Sequence, residues 1–380
     1  MKTIVVLIMA LFLLGFLVSG GPGYLFGQKA SVQIENGVTV VRNPENPVAR
    51  DGRPVAIRLV EDLVLGSGAF SPETSFSAAT FVLVDDEDHF IVFDNKDVSI
   101  RIFDKSGRFL RKFGKRGQGP DEIQAAMGMM LSGGKDIVIV DAGNNRLAFY
   151  SQDGTCLKRT PLIKANPNFP VMDSRGNFYG AAFEFAEKVS LNLFKFGPDG
   201  KPLSTLGSIP MPRENELPPF ELMERFVFQI RPDDALVWAG NFRYELNVAA
   251  PDGKILRRIT RNALPEKVTR RILDKEFKRR FPDRTLPESM PIPSHYPKYF
   301  PYLDSILCDE EGRLFVSTLE GYGSGSKKYD VFDLDGFYIA RFALPESETM
   351  TAVKRGKAYV VIREDKGGNP LVKRYRLEEK

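Results

Sequence analysis

Short apolar runs separated by polar turns dominate the chain, and their alternation is that of strands, not helices. Ser99-Ile100-Arg101-Ile102-Phe103 and Arg108-Phe109-Leu110-Arg111-Lys112-Phe113 place every second side chain on one face, the period of a half-buried β-strand. The turns between such runs recur. Six times a polar turn introduces a β-rich segment: Asp85-Asp86-Glu87-Asp88-His89, Ser132-Gly133-Gly134-Lys135, Asp173-Ser174-Arg175-Gly176, Pro232-Asp233-Asp234, Asp309-Glu310-Glu311-Gly312 and Lys354-Arg355-Gly356. A second turn follows the first five, at Lys105-Ser106-Gly107, Gln152-Asp153-Gly154, Pro198-Asp199-Gly200, Pro251-Asp252-Gly253 and Leu334-Asp335-Gly336. Asp-Gly between apolar stretches is a strong hairpin signal. The glycines closing these second turns lie 47, 46, 53 and 83 residues apart.

That period predicts an all-β, six-bladed β-propeller of four-stranded blades, with the spacing of 83 read as one blade plus an insertion. The sixth unit lacks its second turn: after Gly367-Gly368 the chain forms one more strand, Leu371 to Leu377, and ends. A strand within Val55–Gly66 is expected to supply the missing fourth strand and close the ring, which removes an exposed edge. Residues 55–380 are therefore read as the propeller and 28–54 as an N-terminal extension.

Asp141-Ala142-Gly143-Asn144-Asn145-Arg146 and the strand after it resemble the core of an NHL repeat, and Gly117-Gln118-Gly119-Pro120-Asp121-Glu122-Ile123 is similar to the inter-blade loop of that family. Only the first two blades match in detail; blades three to five keep the turns without the Asp…Asn-Arg signature. The resemblance is to exported bacterial NHL-type propellers, and it implies a binding scaffold without naming the ligand.

The N-terminus carries its own address. A charged start, the apolar run Ile4–Val18 and the small residues Ser19-Gly20-Gly21 form a signal peptide or an uncleaved N-terminal anchor over residues 1–27. Fifteen apolar residues fall short of the roughly 20 needed to span a bilayer as a helix. The expected location is outside the cytoplasm, periplasmic or extracellular. With 53 basic and 49 acidic residues the net charge of +4 names no partner, and nucleic acid is not expected. Two cysteines in 380 residues make no disulfide framework.

In a four-stranded antiparallel blade both kinds of turn above lie on one face, here called lower. The inter-blade crossovers and the loops near Asp94, Asp141, Glu184, Gly240 and Glu320 share the upper face, where binding residues are expected. The largest crossover, 262–301, holds nine Lys or Arg against five Asp or Glu. Its segment Pro265–Phe281 predicts an amphipathic helix with Val268, Ile272, Phe277 and Phe281 on one stripe, followed by a proline-stiffened aromatic run read as a lid over the channel. Candidate ligand contacts are Arg116 and Gln118 in the first crossover, Arg271, Lys275, Arg279, His295, Tyr296 and Tyr299 in the insertion, and Tyr322 beside it.

Catalytic signatures are weak. The two histidines, His89 below and His295 above, cannot share a site, so a multi-His zinc centre is excluded. Gly117-Gln118-Gly119-Pro120 lacks the Lys-Ser/Thr of a phosphate loop. The leading expectation is a noncatalytic, monomeric scaffold for a protein, peptide or glycan, with no cofactor. The alternative is a calcium-dependent hydrolase or lactonase-like enzyme using Asp141, Asn144, Glu184, Asn241 and Glu320, since calcium takes oxygen ligands.

Overall fold

A computed structural model describes residues 29–48, 53–66, 73–163, 165–213, 216–281, 283, 291–363 and 369–380; the leader segment 1–27 lies outside these residues. Six antiparallel sheets surround one axis. Blade one comprises Ala79–Val84, Phe90–Asp94, Ser99–Phe103 and Phe109–Phe113, and blade two Ala126–Ser132, Asp136–Asp141, Arg146–Tyr150 and Cys156–Pro161. Blade three is built from Asn168–Met172, Phe178–Phe185, Val189–Phe196 and Pro202–Pro210, and blade four from Phe226–Ile230, Leu236–Gly240, Glu245–Ala249 and Ile255–Arg261. Blade five contains Leu303–Cys308, Leu314–Thr318, Ser326–Phe332 and Tyr338–Pro345. In each blade the first strand is innermost, and the apolar core lies between successive blades. Cys156, on the outermost strand of blade two, and Cys308, on the innermost strand of blade five, are free.

Blade six joins Glu348–Lys354, Lys357–Ile362 and Leu371–Glu379 to Ile57–Leu65, which pairs antiparallel from Val372↔Leu65 to Glu379↔Ile57. The ring is thus closed by the N-terminal strand. The extension ahead of it is itself ordered. Ser31–Glu35 and Val38–Asn43 form a hairpin about Asn36-Gly37, and Val38–Asn43 lies parallel to Ile255–Arg261, so blade four becomes a six-stranded sheet. The chain then straps blade five, Val48 and Val55 donating backbone hydrogen bonds to the carbonyls of Tyr338 and Ile339.

Turn chemistry explains why the repeat forms. Asp85, Asp173 and Asp309 in the first turns, and Asp104 and Asp333 in the second, each accept bonds from the backbone N–H groups two and four residues on, the local use for which Asp is favoured in turns. The second-turn glycines also press against the outermost strand of the preceding blade. A Cβ on Gly200, whose φ is +79°, would stand 2.2 Å from the Pro161 carbonyl oxygen, so position and conformation both demand glycine.

Blades four and five are further clamped by a buried polar hub. Asp330, fully buried, accepts from Tyr244 Oη (2.5 Å) and Arg261 Nη1 (2.9 Å) of blade four and from Tyr338 Oη (2.8 Å) and Arg341 Nε (2.7 Å) of its own blade. The Arg261 guanidinium is sandwiched 5.3 Å from each tyrosine ring, and its Nε donates to the Glu45 carbonyl of the strap.

Candidate binding face

On the upper face the loops are held by polar side chains that are spent on structural bonds. Asp94 accepts from the N–H groups of Ser77 and Ala78 and from Arg101. Asp141 accepts from the N–H groups of Gln124 and Ala125, from Asn144 Nδ2 and from Arg146. Asn241 does the equivalent in blade four, accepting from Arg225 N–H and donating to the Met223 carbonyl. Each ties the top of a second strand to the chain entering its own blade.

The oxygen ligands considered for calcium are therefore already committed, and they belong to four different blades. Glu184 accepts from Asn192, and Glu320 from Arg341, Lys328 and Arg261. Among the described residues no three His, Cys, Asp or Glu side chains are grouped to hold a metal. Histidine chemistry is equally split, for His89 Nδ1 lies 2.8 Å from Asp85 Oδ2 in a lower turn while His295 is exposed in the insertion.

Glu320 carries a measurable signature. Burial alone would raise its pKa, but hydrogen bonds from Arg341 and Lys328 and the charges of Arg341 and Arg261 outweigh that and pull it down to about 2. A depressed folded value contributes stability that is complete above the ordinary glutamate pKa of 4.5 and is lost as pH falls toward 2. Glu320→Gln should lower stability at pH 7 and flatten the acid limb between these values; urea midpoints measured from pH 7 to pH 2 check this, and parallel wild-type and variant curves would refute it.

The insertion begins with a staple. Lys267 bridges Tyr299, Val268 N–H donates to the Lys298 carbonyl and Phe300 N–H to that of Glu266. The helix consequently starts at Arg270, later than the sequence predicts, and runs to Arg280. Its buried stripe also differs: Val268, Ile272 and Leu273 pack with Leu222, Phe300 and Leu319, whereas Phe281 is exposed and touches Phe277. Once Glu266–Val268 is extended, the helix is rotated so that Leu273, not Phe281, meets the tops of blades four and five. Lys275 Nζ reaches Glu346 at 2.9 Å, fastening the helix to the next crossover.

The sequence-derived contacts do not form one cluster. Arg271, His295 and Tyr299 are exposed on the insertion, while Tyr296 and Tyr322 are half-buried in its small core and Lys275 is ion-paired. The Arg279 side chain lies outside the described residues. Arg116 and Gln118 are exposed in the crossover between blades one and two, on the opposite side of a six-bladed ring from the seam of blades four and five. Arg116 Nη1 is bonded to the Gln124 carbonyl. Between Tyr244, Arg261, Leu264, Tyr302, Thr318 and Glu320 there is a shallow, open niche with a volume of only about 10 Å3, far below the roughly 300–1,000 Å3 of pockets that enclose drug-sized ligands.

A second feature was hidden from sequence reasoning. In four blades a β-bulge follows the first residue of the innermost strand, at Thr80, Met127, Phe169-Pro170 and Asp304; blade six has one deeper, at Thr351. Bulges re-aim side chains and often lie beside functional sites. Here they set Thr80, Met127 and Phe169 exposed at the upper mouth of the channel. Phe169 of blade three meets Phe81 of blade one at 6.3 Å, reaching past the innermost strand of blade two. Gly128 in that strand leaves the space, since a Cβ there would be 2.2 Å from Pro170 Cδ.

Phe169 is also strained, with φ +48°. A left-handed backbone costs a non-glycine residue on the order of 1–2 kcal/mol. Val98, at φ +54°, recovers such a cost by being buried to 1% exposure in the core of blades one and two. Phe169 remains 63% exposed, so most of the roughly 1.5–3 kcal/mol that burial of a large apolar side chain returns is not realised.

The next rim position is Arg225, at the start of blade four. Its Nη2 donates to the carbonyl (3.1 Å) and Oδ1 (2.8 Å) of Asp304, its guanidinium lies 4.9 Å from the centre of the Phe220 ring, and its buried Nη1 has no hydrogen-bond partner among the described residues. Lys327 Nζ shares Asp304 at 3.2 Å and Thr349 Oγ1 at 3.5 Å. Burial would raise the pKa of Asp304, but the charges of Lys327 and Arg225 and hydrogen bonds from Lys327 and Ser317 hold it below the ordinary aspartate value.

Comparison with known proteins supports the architecture. The profile of the family DUF5128, described as a six-bladed β-propeller, matches residues 77–192. A member of the DUF4221 family from Bacteroides vulgatus superposes with a TM-score of 0.53 at 12% identity, over 85% of this chain and 98% of that one. A Bacteroides fragilis protein bearing the name of an exported protein gives 0.51 at 10% identity, over 89% and 99%. At such identities the likeness is one of fold. No curated protein matches the sequence. Among the described residues no helix is long and apolar enough to cross a membrane.

Proposed function

We propose that the chain is a noncatalytic, extracytoplasmic binding scaffold whose upper face recognises a protein, peptide or glycan. The supporting observation is the distribution of exposed apolar side chains. Phe169, Phe183, Phe185, Phe220, Leu264 and Tyr299 are all exposed on the upper face, most of them aromatic, whereas the lower side exposes Leu334 in a turn and Leu157, Leu203 and Leu256 at the starts of the outer strands beside the turns. Exposed aromatic side chains gathered on one face of a polar protein suit an interaction site, and the blades beneath are rigid enough to present them without an ordering cost.

The commitment of Asp141, Glu184, Asn241 and Glu320 to structural bonds argues against the calcium-dependent alternative. Arg271, His295 and Tyr299 extend the face across the insertion, and Arg116 and Gln118 belong to a separate part of it. The bonding of Asp141 to Asn144 and Arg146 supports an NHL-like reading of blade two. The signal peptide or anchor expected over residues 1–27 and the Bacteroides neighbour's name favour a place outside the cytoplasm.

Photo-crosslinking tests this reading. A benzophenone side chain at Phe185 or Phe220 should yield discrete adducts with envelope components, and one at Leu334 should not; equal labelling from both faces would refute it.

A further inference from the structure

We infer that the chain forms a two-fold dimer in which the outer edge of Ser31–Glu35 pairs antiparallel with the same strand of a second copy. This goes beyond the proposed function, does not depend on it, and replaces the monomer expected from the sequence. Ser31–Glu35 is the end strand of the six-stranded sheet of blade four, and among the described residues nothing pairs with its outer side. The outermost strands of the other blades are all guarded. Blades one and two carry Arg111-Lys112 and Lys158-Arg159 there, blade three is bulged twice, blade five is crossed by the strap, and blade six carries Arg58, Glu61 and Asp62. Charge, bulges and cover are the usual devices against edge pairing. Residues 30–34 hold no charge, no proline and no bulge.

The backbone fixes how a second copy fits. Asn36 and Gly37, at φ +50° and +79°, make a two-residue turn closed by the pair Glu35↔Val38. Such a closing pair exchanges its hydrogen bonds, and bonded and non-bonded pairs alternate along the strands from there. Ser31, Gln33 and Glu35 thus bond inward to Val38–Asn43, while Ala30, Val32 and Ile34 turn their N–H and C=O groups outward. With the two-fold axis at Val32, that residue meets Val32 of the second copy and Ala30 meets Ile34, so every one of these outward groups is matched. The same register sets Lys29 opposite Glu35 on both sides of the axis. Glu35 meets Arg42 through Oε1, and its side chain, 41% exposed, has room for a second cation. Ala30, Val32 and Ile34 of both copies then share one face, partly covering Val32 and Ile34, which are 50% and 79% exposed in the single chain. An axis at Gln33 would match Val32 with Ile34 but set Ala30 against the turn residue Asn36 and Lys29 against Gly37. Charge complementarity therefore selects the register more than it adds affinity.

Sedimentation equilibrium of the full chain, purified from the envelope, tests the dimer. The mean mass should rise with concentration toward twice that of one chain. Val32→Pro deletes an outward donor without touching the inward bonds of the hairpin, so it should weaken dimerisation about tenfold or more while the melting temperature of the dilute protein is unchanged. Should that variant not be recovered folded, Val32→Lys, which sets like charges face to face on the axis, should have the same effect. Val32→Cys should oxidise to a covalent dimer, because bonded partners on antiparallel strands lie about 5.5 Å apart between α-carbons, within reach of a disulfide. Gln33→Cys should not exceed the wild-type background.

A single-chain mass at every concentration would overturn the inference and leave the edge to an extended segment of another protein. A dimer that survives both Val32 substitutions, or faster cross-linking at Gln33 than at Val32, would overturn it as well.

Discussion

A chain lacking residues 29–66 is expected not to fold stably at 25 °C. Its loss removes the outermost strand of blade six, the strap across blade five and the hairpin on blade four together. In the closing strand Leu65 is buried, and Leu59, Leu63 and Val64 are half-buried against blades five, six and one. Asp62 and Glu61 also hold Arg374 and Lys373 by ion pairs of 2.7 and 2.9 Å. Blade one is affected as well, because Gly107 of its second turn seats directly on Leu63 and Leu65. At about 1.5–3 kcal/mol per fully buried large apolar side chain, these partial burials amount to something on the order of 5 kcal/mol. That is comparable with the total stability of about 5–15 kcal/mol typical of a folded domain. Circular dichroism melts should show the native transition lost, and a synthetic peptide spanning 53–66 should restore part of it in trans. A truncated chain melting within a few degrees of the intact one would show that closure is not needed.

Replacing Asp330 with Ala should give the largest effect of any single substitution described here, a destabilisation of about 3–5 kcal/mol. The carboxylate is the common acceptor for Tyr244, Tyr338, Arg261 and Arg341. Without it the Arg261 side chain, 1% exposed, keeps Glu320 at 3.2 Å as its one ion-pair partner among the described residues, and two buried hydroxyls lose their acceptor. Buried groups left unmatched are what make broken internal ion pairs expensive. Asp330→Asn retains an acceptor oxygen and should fall between wild type and Ala. Urea unfolding at pH 7 measures the series, and a loss below about 1 kcal/mol for Asp330→Ala would mean the hub is solvated and not a clamp.

Much of the fold was legible because it is encoded locally. The aspartates of the lower turns act on backbone groups two and four residues away, so the spacing of turns could be read directly into blades. The missing second turn of the sixth unit likewise pointed to an N-terminal strand, and the register Val372↔Leu65 meets that expectation. The hairpin about Asn36-Gly37 was missed, although Asn-Gly favours such a turn, and nothing near it says that Val38–Asn43 will lie parallel to a strand more than 200 residues on.

The proposed binding face divides in the same way. Its side of the ring follows from the order of turns and crossovers, which is a property of the sequence. The helix stripe was misjudged by a register because the Lys267 to Tyr299 staple is a contact across the insertion. Arg116 and Gln118 were grouped with Tyr299 on the strength of sharing a face, although the ring sets them on opposite sides. The rim at Thr80, Met127, Phe169, Arg225 and Asp304 has no motif at all, since it arises from bulges whose register is fixed by pairing with the second strands. Turn chemistry and periodicity, which act over a few residues, determined the blades; ring closure, which brings together groups up to about 300 residues apart such as Asn43 and Tyr338, decided which side chains meet.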